Sequence, residues 1–501
     1  MQLAHLKDLF LARWYLLDLM HVLLILPQSH LMPIVPTGIL YLAHALLEAG
    51  FEVTVRDGPV EAIKSEFDAG RRPDTVAVGI STLSGAMLGA ALSIAAHIRA
   101  RAPGLPLIWG GAHPTAVPEQ TLAHPLVDYV AVGEAEVSLI RLLEAILSGS
   151  GFDRIAGIGY REAGRSVVNP NAPYTALDRV FRLPYHLLRM DDYARKLRVG
   201  GKRWFSVLAS RGCPYRCKFC SNSSTIWPNT KVRHNSLEHV ERDIETLIDQ
   251  YGCDGIAFND EVFFVGEARL KRFLAFLRER AYPVRYRAAA RADTLATLSP
   301  GTWDMLREVG FIGIGMGVES GSRRTLEIMG KGITVEQVRK ATLEMSRVGI
   351  HKSFTIMTCV PGETMEDIRD TLRLIVWLAR HCTDSPLPFG QELNKYIPLP
   401  GTALYETAIK DYGFRPPDHL EGWVDLDFSA FRDKSRRIRP WLTEDMLDYV
   451  DLANILMDRM NRAFSGRDAD PVEMERAVAD IEAFIASGRM PAHVAVPGHD
   501  R

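Results

Sequence analysis

The chain has 501 residues, 47% of them apolar and 24% charged, so we expect two or three globular domains, each with its own core. Its 59 Lys and Arg residues nearly balance 61 Asp and Glu residues, which argues against a nucleic-acid enzyme because such enzymes usually carry a basic excess. The one concentrated basic run, Arg432–Arg439, is interpreted as a solvated helix flank rather than a phosphate site.

The N-terminal stretch Leu9–Leu26 is apolar but is interrupted by Arg13, Asp18 and His21. These charges predict a surface helix that runs into a buried strand, and they argue against a membrane span. We therefore expect no signal peptide and no stable membrane insertion. The predicted strand opens at Met20, so residues 1–19 are treated as an extension outside the fold.

Residues 20–150 alternate short apolar runs with helical stretches, a pattern typical of a parallel, doubly wound α/β sheet. Such sheets bind ligands outside the carboxyl ends of their strands. The loops expected at those ends are rich in Gly, Pro, Ser and Thr, which let a backbone approach a bulky ligand closely; they are Pro27–Gly38, Gly79–Gly85 and Gly110–Pro118. The runs begin near Met20, Glu52, Asp74, Leu105 and Val127.

Residues 151–200 are predicted to form a connector with a hairpin, Ile155–Tyr160 and Arg165–Val168. A second alternating series over 201–400 predicts six βα units, which imply a partial parallel barrel with its site at the carboxyl ends of the strands. A small helical domain is expected over 401–501. The six predicted strands are Trp204–Ala209, Gly255–Phe258, Val284–Ala290, Phe311–Gly317, His351–Cys359 and Phe389–Ile397.

Three of the six cysteines lie on the loop after the first barrel strand, in the spacing C-x3-C-x2-C: Cys213, Cys217 and Cys220. Thiolates suit iron-sulfur clusters and zinc, and three ligands leave one iron open for a substrate. The alternative is a zinc knuckle completed by His234 or His239. Three clustered and three scattered cysteines indicate metal-site usage in a reducing compartment, and we expect a cytoplasmic protein.

The cysteine motif resembles that of the radical S-adenosylmethionine (SAM) superfamily, whose open iron chelates SAM. Phe219 matches the aromatic residue that lies beside the adenine. The resemblance implies SAM contacts at the ends of the following strands, from Asn259, Asp260 and Glu261, from Arg291, and from Glu319 and Ser320. Arg291 would pair with the SAM carboxylate and Glu319 would accept from the ribose or the amino group.

Two points about these strand ends stay open at the level of sequence. Arg291 and Glu319 could instead pair with each other or with Asp293 as a structural bridge. Cys359 occupies a position where related sequences generally have Gly. It is either a chance small residue, which we favour, or a participant in proton or hydrogen-atom transfer.

Three segments of residues 20–150 resemble the Rossmann-like cobalamin-binding domain of the cobalamin-dependent radical SAM class: Pro36–Gly50, Gly110–Glu119 and Asp128–Glu136. The residues implied to contact cobalamin are Thr37, Gly38, Ser81, Thr82, Gly110, Gly111, His113 and Glu134. The pattern D-x-H-x-x-G is absent, so the resemblance implies cobalamin bound without its own base and without a histidine ligand. His113 is expected to contact a side chain or to be structural. The alternative for the whole domain is a fold that binds nothing.

The resemblance implies a cobalamin-dependent radical SAM methyltransferase that methylates an unactivated carbon of a small-molecule or lipid substrate, through a 5′-deoxyadenosyl radical and methylcobalamin. Its cofactors would be a [4Fe-4S] cluster, SAM and cobalamin, with an electron donor such as flavodoxin or ferredoxin as partner. A radical SAM oxidative cyclase or rearrangement enzyme is the alternative, and a non-catalytic cobalamin sensor or electron carrier is a third hypothesis. The substrate cannot be read from the sequence, because scattered tryptophans such as Trp227 and Trp303 are usually core residues.

Overall fold

The computed structural model describes residues 20–27, 34–174, 176–177, 182–197, 201–223, 231–382, 393–426, 437–464 and 470–494. The predicted extension 1–19, Trp227 and most of the basic run lie outside the described residues. Two seven-stranded sheets organise the described chain, one before and one after residue 190.

The first sheet consists of β1 His21–Pro27, β2 Glu52–Gly58, β3 Thr75–Ser81, β4 Leu107–Gly110, β5 Tyr129–Ala131, β6 Ile158–Glu162 and β7 Arg165–Val168. The second consists of β8 Arg195–Leu197, β9 Gly201–Val207, β12 Gly255–Phe258, β13 Arg285–Arg291, β14 Phe311–Glu319, β15 His351–Thr358 and β16 Asn394–Lys395. A separate short ladder pairs β10 Ser210–Arg211 with β11 Arg233–His234.

The helices of the first half are α1 Thr37–Glu48, α2 Val60–Ala69, α3 Ala86–Arg101, α4 Ala112–Ala116, α5 Pro118–Ala123, α6 Glu136–Ser148 and α7 Met190–Tyr193. Those of the barrel are α8 Leu237–Tyr251, α9 Glu267–Arg280, α10 Ala292–Thr297, α11 Pro300–Glu308, α12 Arg323–Ile328, α13 Val335–Arg347 and α14 Met365–His381. The C-terminal helices are α15 Ala403–Tyr412, α16 Glu444–Phe464 and α17 Pro471–Ser487.

The first sheet has the strand order β2-β1-β3-β4-β5-β6-β7, and its first five strands are parallel. The strand order reverses between β1 and β3, which opens a crevice at their carboxyl ends. The hairpin predicted for the connector is β6 and β7, and it pairs antiparallel with β5, so it extends this sheet. The doubly wound α/β fold predicted from the alternating pattern is confirmed.

The second sheet has the order β16-β15-β14-β13-β12-β9-β8. The six strands predicted for the partial barrel are parallel, whereas β8 pairs antiparallel with β9 at the edge and was not predicted. Alternation along β13 buries Ala288 and Ala290 against the outer helices, so Arg287, Ala289 and Arg291 face the barrel interior.

The helix boundaries follow the capping residues seen in the sequence. The Ser236 side chain accepts a hydrogen bond from the backbone N–H of His239 at the start of α8. Thr334 and Gln337 form the predicted reciprocal capping box of α13, and Thr364 caps α14. These local contacts fix where each barrel helix begins, and therefore where the preceding loop at the carboxyl end of a strand stops.

The C-terminal residues pack on both sheets. Trp423 and Leu426 belong to the core beneath the first sheet, and the Trp423 carbonyl accepts a hydrogen bond from Gly85 N. Helices α16 and α17 pack on the barrel core instead. The described helices are all too short or too polar to span a membrane.

Candidate active site

The loop that carries the three clustered cysteines, residues 212–220, follows β10 at the carboxyl end of β9. Cys217 is buried, and Cys213 and Cys220 are half-buried. Two backbone hydrogen bonds hold this loop at its far end: Lys218 N donates to the carbonyl of Met329, and Leu404 N donates to the carbonyl of Lys218. The loop is therefore clamped between segments that follow β14 and β16.

The two histidines that could complete a zinc knuckle lie outside the cysteine loop, His234 on β11 and His239 in α8. In the part of the chain that the structure describes, no three His, Cys, Asp or Glu side chains converge as ligands of one metal ion. His239, a candidate zinc ligand, is buried in α8, where its Nε2 lies 3.5 Å from both the hydroxyl of Tyr41 and a carboxylate oxygen of Asp243. Burial raises the pKa of Cys213 and Cys220, and nearby guanidinium and ammonium groups counteract this rise.

The residues after β12 support the start of the cysteine loop. The Asp260 carboxylate accepts hydrogen bonds from Ala209 N at 2.9 Å and from the Ser210 hydroxyl at 2.5 Å. Glu261 accepts one from Gly212 N at 3.2 Å, while Asn259 is exposed beside them. Both carboxylate oxygens of Asp260 are thus engaged by the loop, and burial raises its pKa to about 7.

Arg291 ends β13 directly under the cysteine loop. Its Nε and Nη2 donate to the carboxylate of Asp293 at 3.0 and 3.1 Å, and Nη2 also donates to the Lys331 carbonyl at 2.5 Å. Its Nη1 donates to Cys217 Sγ at 3.4 Å, and the Tyr215 ring centroid lies 3.7 Å from the guanidinium carbon. The structure therefore gives Arg291 the Asp293 partner that the sequence left as the alternative.

Glu319 ends β14 and pairs with Lys331, a residue that the sequence analysis missed. Lys331 Nζ donates to Glu319 Oε1 at 2.7 Å, and it lies 5.7 Å from the centroid of the Phe219 ring. Both members of this pair are buried. The sequence contained a signal for this residue, because Lys331 stands between Gly330 and Gly332, a pattern typical of a tight turn. Both glycines have positive φ in the structure.

Two other residues singled out at the strand ends point away from this centre. Ser320 is fully buried, where its hydroxyl lies 2.9 Å from the Thr371 hydroxyl and accepts from Ser322 N. Cys359 is fully buried, and burial raises the pKa of its thiol to about 12. Its φ of 65° lies in the left-handed region, which explains why Gly is the common residue there. These contacts favour the small-residue interpretation of Cys359.

A mainly apolar cavity of about 200 Å³ lies at the carboxyl ends of β1, β3, β4 and β5. Its lining is mostly glycine and aliphatic, and a Cβ on Gly111 would lie 2.5 Å from the backbone oxygen of Thr82, so no side chain fits at that position. A glycine-lined slot at the carboxyl ends of parallel strands lets the backbone approach a bulky ligand closely, as cobalamin would require. Among the predicted contacts, Gly38, Ser81, Gly110, Gly111 and Glu134 line it.

The other predicted cobalamin contacts are placed differently. Thr37 is the first residue of α1, and the hydroxyl of the buried Thr82 donates to the Leu83 carbonyl. His113 is buried in α4, with Nδ1 2.8 Å from the Ser84 hydroxyl and its ring centroid 5.5 Å from that of Trp423. Burial lowers the pKa of His113 to about 4, so the imidazole is neutral at neutral pH.

Charged residues join the two sheets beside this cavity. Arg211, two residues before Cys213, donates to Glu136 at 2.6 Å, and its guanidinium carbon lies 3.9 Å from the Tyr41 ring centroid. Glu134 forms a bidentate pair with Arg233 on β11. Arg211 also lines the cavity. One side chain thus contacts the predicted cobalamin slot and belongs to the strand that leads into the cysteine loop.

Removing any one of the three loop thiols should abolish the cluster. We expect the Cys213→Ala, Cys217→Ala and Cys220→Ala variants to lose the brown absorbance and 5′-deoxyadenosine formation, because each thiol supplies one iron ligand. The matched controls Cys253→Ala and Cys382→Ala change buried thiols outside the loop and should keep both. A full iron content in any of the first three variants would contradict the assignment.

Cobalamin bound to this chain should lack a histidine ligand. We expect the electron paramagnetic resonance (EPR) spectrum of Co(II) in the loaded protein to show no nitrogen superhyperfine splitting, because the pattern D-x-H-x-x-G is absent and His113 does not line the slot. Triplet splitting that disappears in His113→Ala would show that this imidazole reaches cobalt, and the prediction would then be wrong.

Two family models match the sequence. The Radical SAM superfamily matches residues 207–375, and the B12 binding domain matches residues 31–143. An uncharacterized methyltransferase of Pyrococcus horikoshii is 29% identical over 408 residues, which cover 78% of this chain and 84% of that protein. The hopanoid C-3 methylase of Methylococcus capsulatus is 25% identical, with 75% of this chain and 69% of that protein covered. The anaerobic magnesium-protoporphyrin IX monomethyl ester cyclase of Rubrivivax gelatinosus is 25% identical, with 90% and 79% covered.

Two solved structures share the fold. The cobalamin-dependent S-adenosylmethionine radical enzyme OxsB matches with a TM-score of 0.70 at 18% identity, over 94% of this chain and 72% of that one. The methyltransferase TsrM of Kitasatospora setae matches with a TM-score of 0.62 at 21% identity, over 96% and 92%. The two domain matches confirm the predicted cofactors, a [4Fe-4S] cluster, SAM and cobalamin. On the strength of both matches and of the cysteine loop and glycine slot that they enclose, the chain belongs to the cobalamin-dependent radical SAM enzymes.

Proposed function

We propose that this enzyme methylates an unactivated carbon of a small-molecule or lipid substrate. The observation that carries the proposal is the position of Arg211, which lines the slot in the first sheet and lies two residues before Cys213. When bound, the cluster and SAM supply a 5′-deoxyadenosyl radical, and cobalamin supplies the methyl group. The contact through Arg211 connects the two proposed cofactor sites, and a methyl transfer that uses both cofactors requires the two sites to lie close together.

The buried pair of Glu319 and Lys331 is suited to the amino-acid end of SAM. A zwitterionic ligand needs one anionic and one cationic partner, and this pair offers both beside Phe219 and the cysteine loop. Asn259 and Glu261 stand at the exposed rim of the same site. The predicted pairing of Arg291 with the SAM carboxylate would require the guanidinium to leave Asp293, so we assign that role to Lys331.

The inward positions in the middle of β14 are glycines. The outward positions carry Ile314, Met316 and Val318, which are buried against the helices, whereas the inward positions are Gly313, Gly315 and Gly317. A Cβ on Gly317 would lie 2.8 Å from Glu319 Oε1 and 2.9 Å from Lys331 Nζ, so the glycine leaves the space that this ion pair occupies. A substrate bound beside the pair would be enclosed by the barrel, which would keep water and other hydrogen donors away from a carbon radical.

Methylation is preferred over ring closure because relatives named as methyltransferases and the hopanoid methylase match most of this chain. Oxidative cyclisation remains the second candidate, supported by the cyclase of Rubrivivax gelatinosus, which covers 90% of the chain. We further propose a low-potential electron donor of the flavodoxin or ferredoxin class and a cytoplasmic location, where reducing conditions preserve the cluster.

The proposed reaction should add one CH2 to its substrate. We expect reduced, cobalamin-loaded enzyme incubated with SAM and an extract of its own host to produce a species about 14 mass units heavier than its precursor, the mass difference of a CH2 group. The Cys217→Ala variant is the control that must not form it. A product that has lost hydrogens would instead indicate cyclisation, and an absence of SAM cleavage would indicate a sensor or electron carrier.

Glu319→Gln should weaken SAM binding while the cluster content stays normal. The lost anion leaves the SAM amino group unpaired in a dry site, which costs about 2–4 kcal/mol of binding free energy. The measurement is a SAM titration beside a melting curve, with Glu327→Gln on the exposed face of α12 as the control. A lower melting temperature with unchanged SAM affinity would show that Glu319 is only the structural partner of Lys331.

A further inference from the structure

We propose that Arg291 and Asp293 together set the reduction potential of the cluster, through the hydrogen bond from Arg291 Nη1 to Cys217 Sγ. Both are positioning residues, since they act on the cluster through a ligand thiolate. The proposal rests on the cluster assignment within the proposed function, and it does not depend on which carbon is methylated or on whether the product is methylated or cyclised.

The guanidinium of Arg291 is held so that only one nitrogen can face the sulfur. The bidentate contact with Asp293 uses Nε and Nη2, and Nη2 also donates to the Lys331 carbonyl at 2.5 Å. The remaining nitrogen, Nη1, lies 3.4 Å from Cys217 Sγ. These three hydrogen bonds fix the plane of the guanidinium group. The direction of the Nη1 donor is therefore set before any cluster binds.

The cysteine loop itself covers this arrangement. The Tyr215 ring lies over the guanidinium of Arg291, with 3.7 Å between the ring centroid and the guanidinium carbon. The Tyr215 hydroxyl lies 3.1 Å from the Thr294 hydroxyl. Only 7% of the Arg291 surface is exposed. A cationic donor that is shielded from water acts on a neighbouring sulfur with little screening, so its electrostatic effect is larger than that of a surface arginine.

The sign of the effect follows from charge. Reduction adds one electron, from a donor of the flavodoxin or ferredoxin class, and neither a proton nor a covalent bond changes in that step. A cationic N–H donor at a ligand sulfur stabilises the added negative charge and therefore raises the potential. The Asp293 carboxylate opposes the guanidinium, so it lowers the potential. The two residues should act in opposite directions.

The test is an EPR-monitored redox titration of the full-length, reconstituted protein without SAM or substrate. At the wild-type midpoint, Arg291→Met should lower the ratio of reduced to oxidised cluster about tenfold, which equals a shift of about 59 mV to lower potential for a one-electron couple. Asp293→Asn should shift the midpoint in the other direction. Iron content and melting temperature are measured in parallel.

The matched control is Arg287→Met on the same strand. Arg287 also faces the barrel interior, roughly 13 Å before Arg291 along β13 at the usual rise per residue. Burial lowers the pKa of Arg287, and among the described residues no charged side chain pairs with it. Its loss should shift the midpoint much less. A shift as large as that of Arg291→Met would show a general effect of charge and would overturn the assignment to the sulfur contact.

The remaining outcomes also decide the proposal. Unchanged potentials in both Arg291→Met and Asp293→Asn, with lower melting temperatures, would reduce the pair to a structural bridge. Unchanged potentials with weaker SAM binding in Arg291→Met would restore Arg291 as the carboxylate partner. If Arg291→Met fails to assemble a cluster, the Asp293→Asn variant decides the proposal by itself. An unchanged or lowered midpoint potential in Asp293→Asn would then overturn it. None of these readings requires methyl transfer, so a missing methylated product would leave them intact.

Discussion

The contact of Arg211 with Glu136 and Tyr41 is the interaction on which the geometry of the whole site depends. It joins helices α1 and α6, which pack on the first sheet, to the strand that enters the cysteine loop of the second, and the neighbouring pair of Glu134 and Arg233 repeats the connection. Partly buried pairs of this kind constrain orientation because a misplaced partner leaves a desolvated charge without compensation. These contacts therefore connect the slot of the first sheet to the strand that enters the cysteine loop.

Beneath that connection the barrel keeps two further ion pairs close to the cysteines, one partly buried and one buried. Arg291 pairs with Asp293, and Lys331 pairs with Glu319. Burying each ion costs several kcal/mol, and well-packed apolar residues would stabilise the fold at least as well. Their retention beside the thiols is more simply explained by function, since both pairs present oriented charge to groups that bind there.

The left-handed residues at the strand ends fit the same view. Glu319 and Cys359 have φ values of 62° and 65°, conformations that non-glycine residues seldom adopt; Glu319 ends β14 and Cys359 directly follows the adjacent strand β15. At Glu319 this backbone aims a carboxylate at Lys331. At Cys359 it turns the chain toward Glu363, whose carboxylate accepts from the Cys359 N–H and the Thr358 hydroxyl. Backbone strain of this kind is commonly found where a site has to be preorganised.

The secondary-structure elements and the candidate cluster ligands were predictable from the sequence, because both depend on local information. Alternating apolar runs, capping residues such as Ser236 and Thr334, and the spacing of three cysteines act over a few residues and can be read directly. The partners of the charged residues, in contrast, became apparent only in the folded chain. Lys331 meets Glu319 across helix α12, Arg291 meets Cys217 across 74 positions, and the antiparallel strand β8 adds an edge, which was not predicted, beside the first parallel strand β9. Such contacts depend on the order of the strands in the sheet and on the desolvation free energy of each charged group. Neither property can be predicted from a local stretch of sequence.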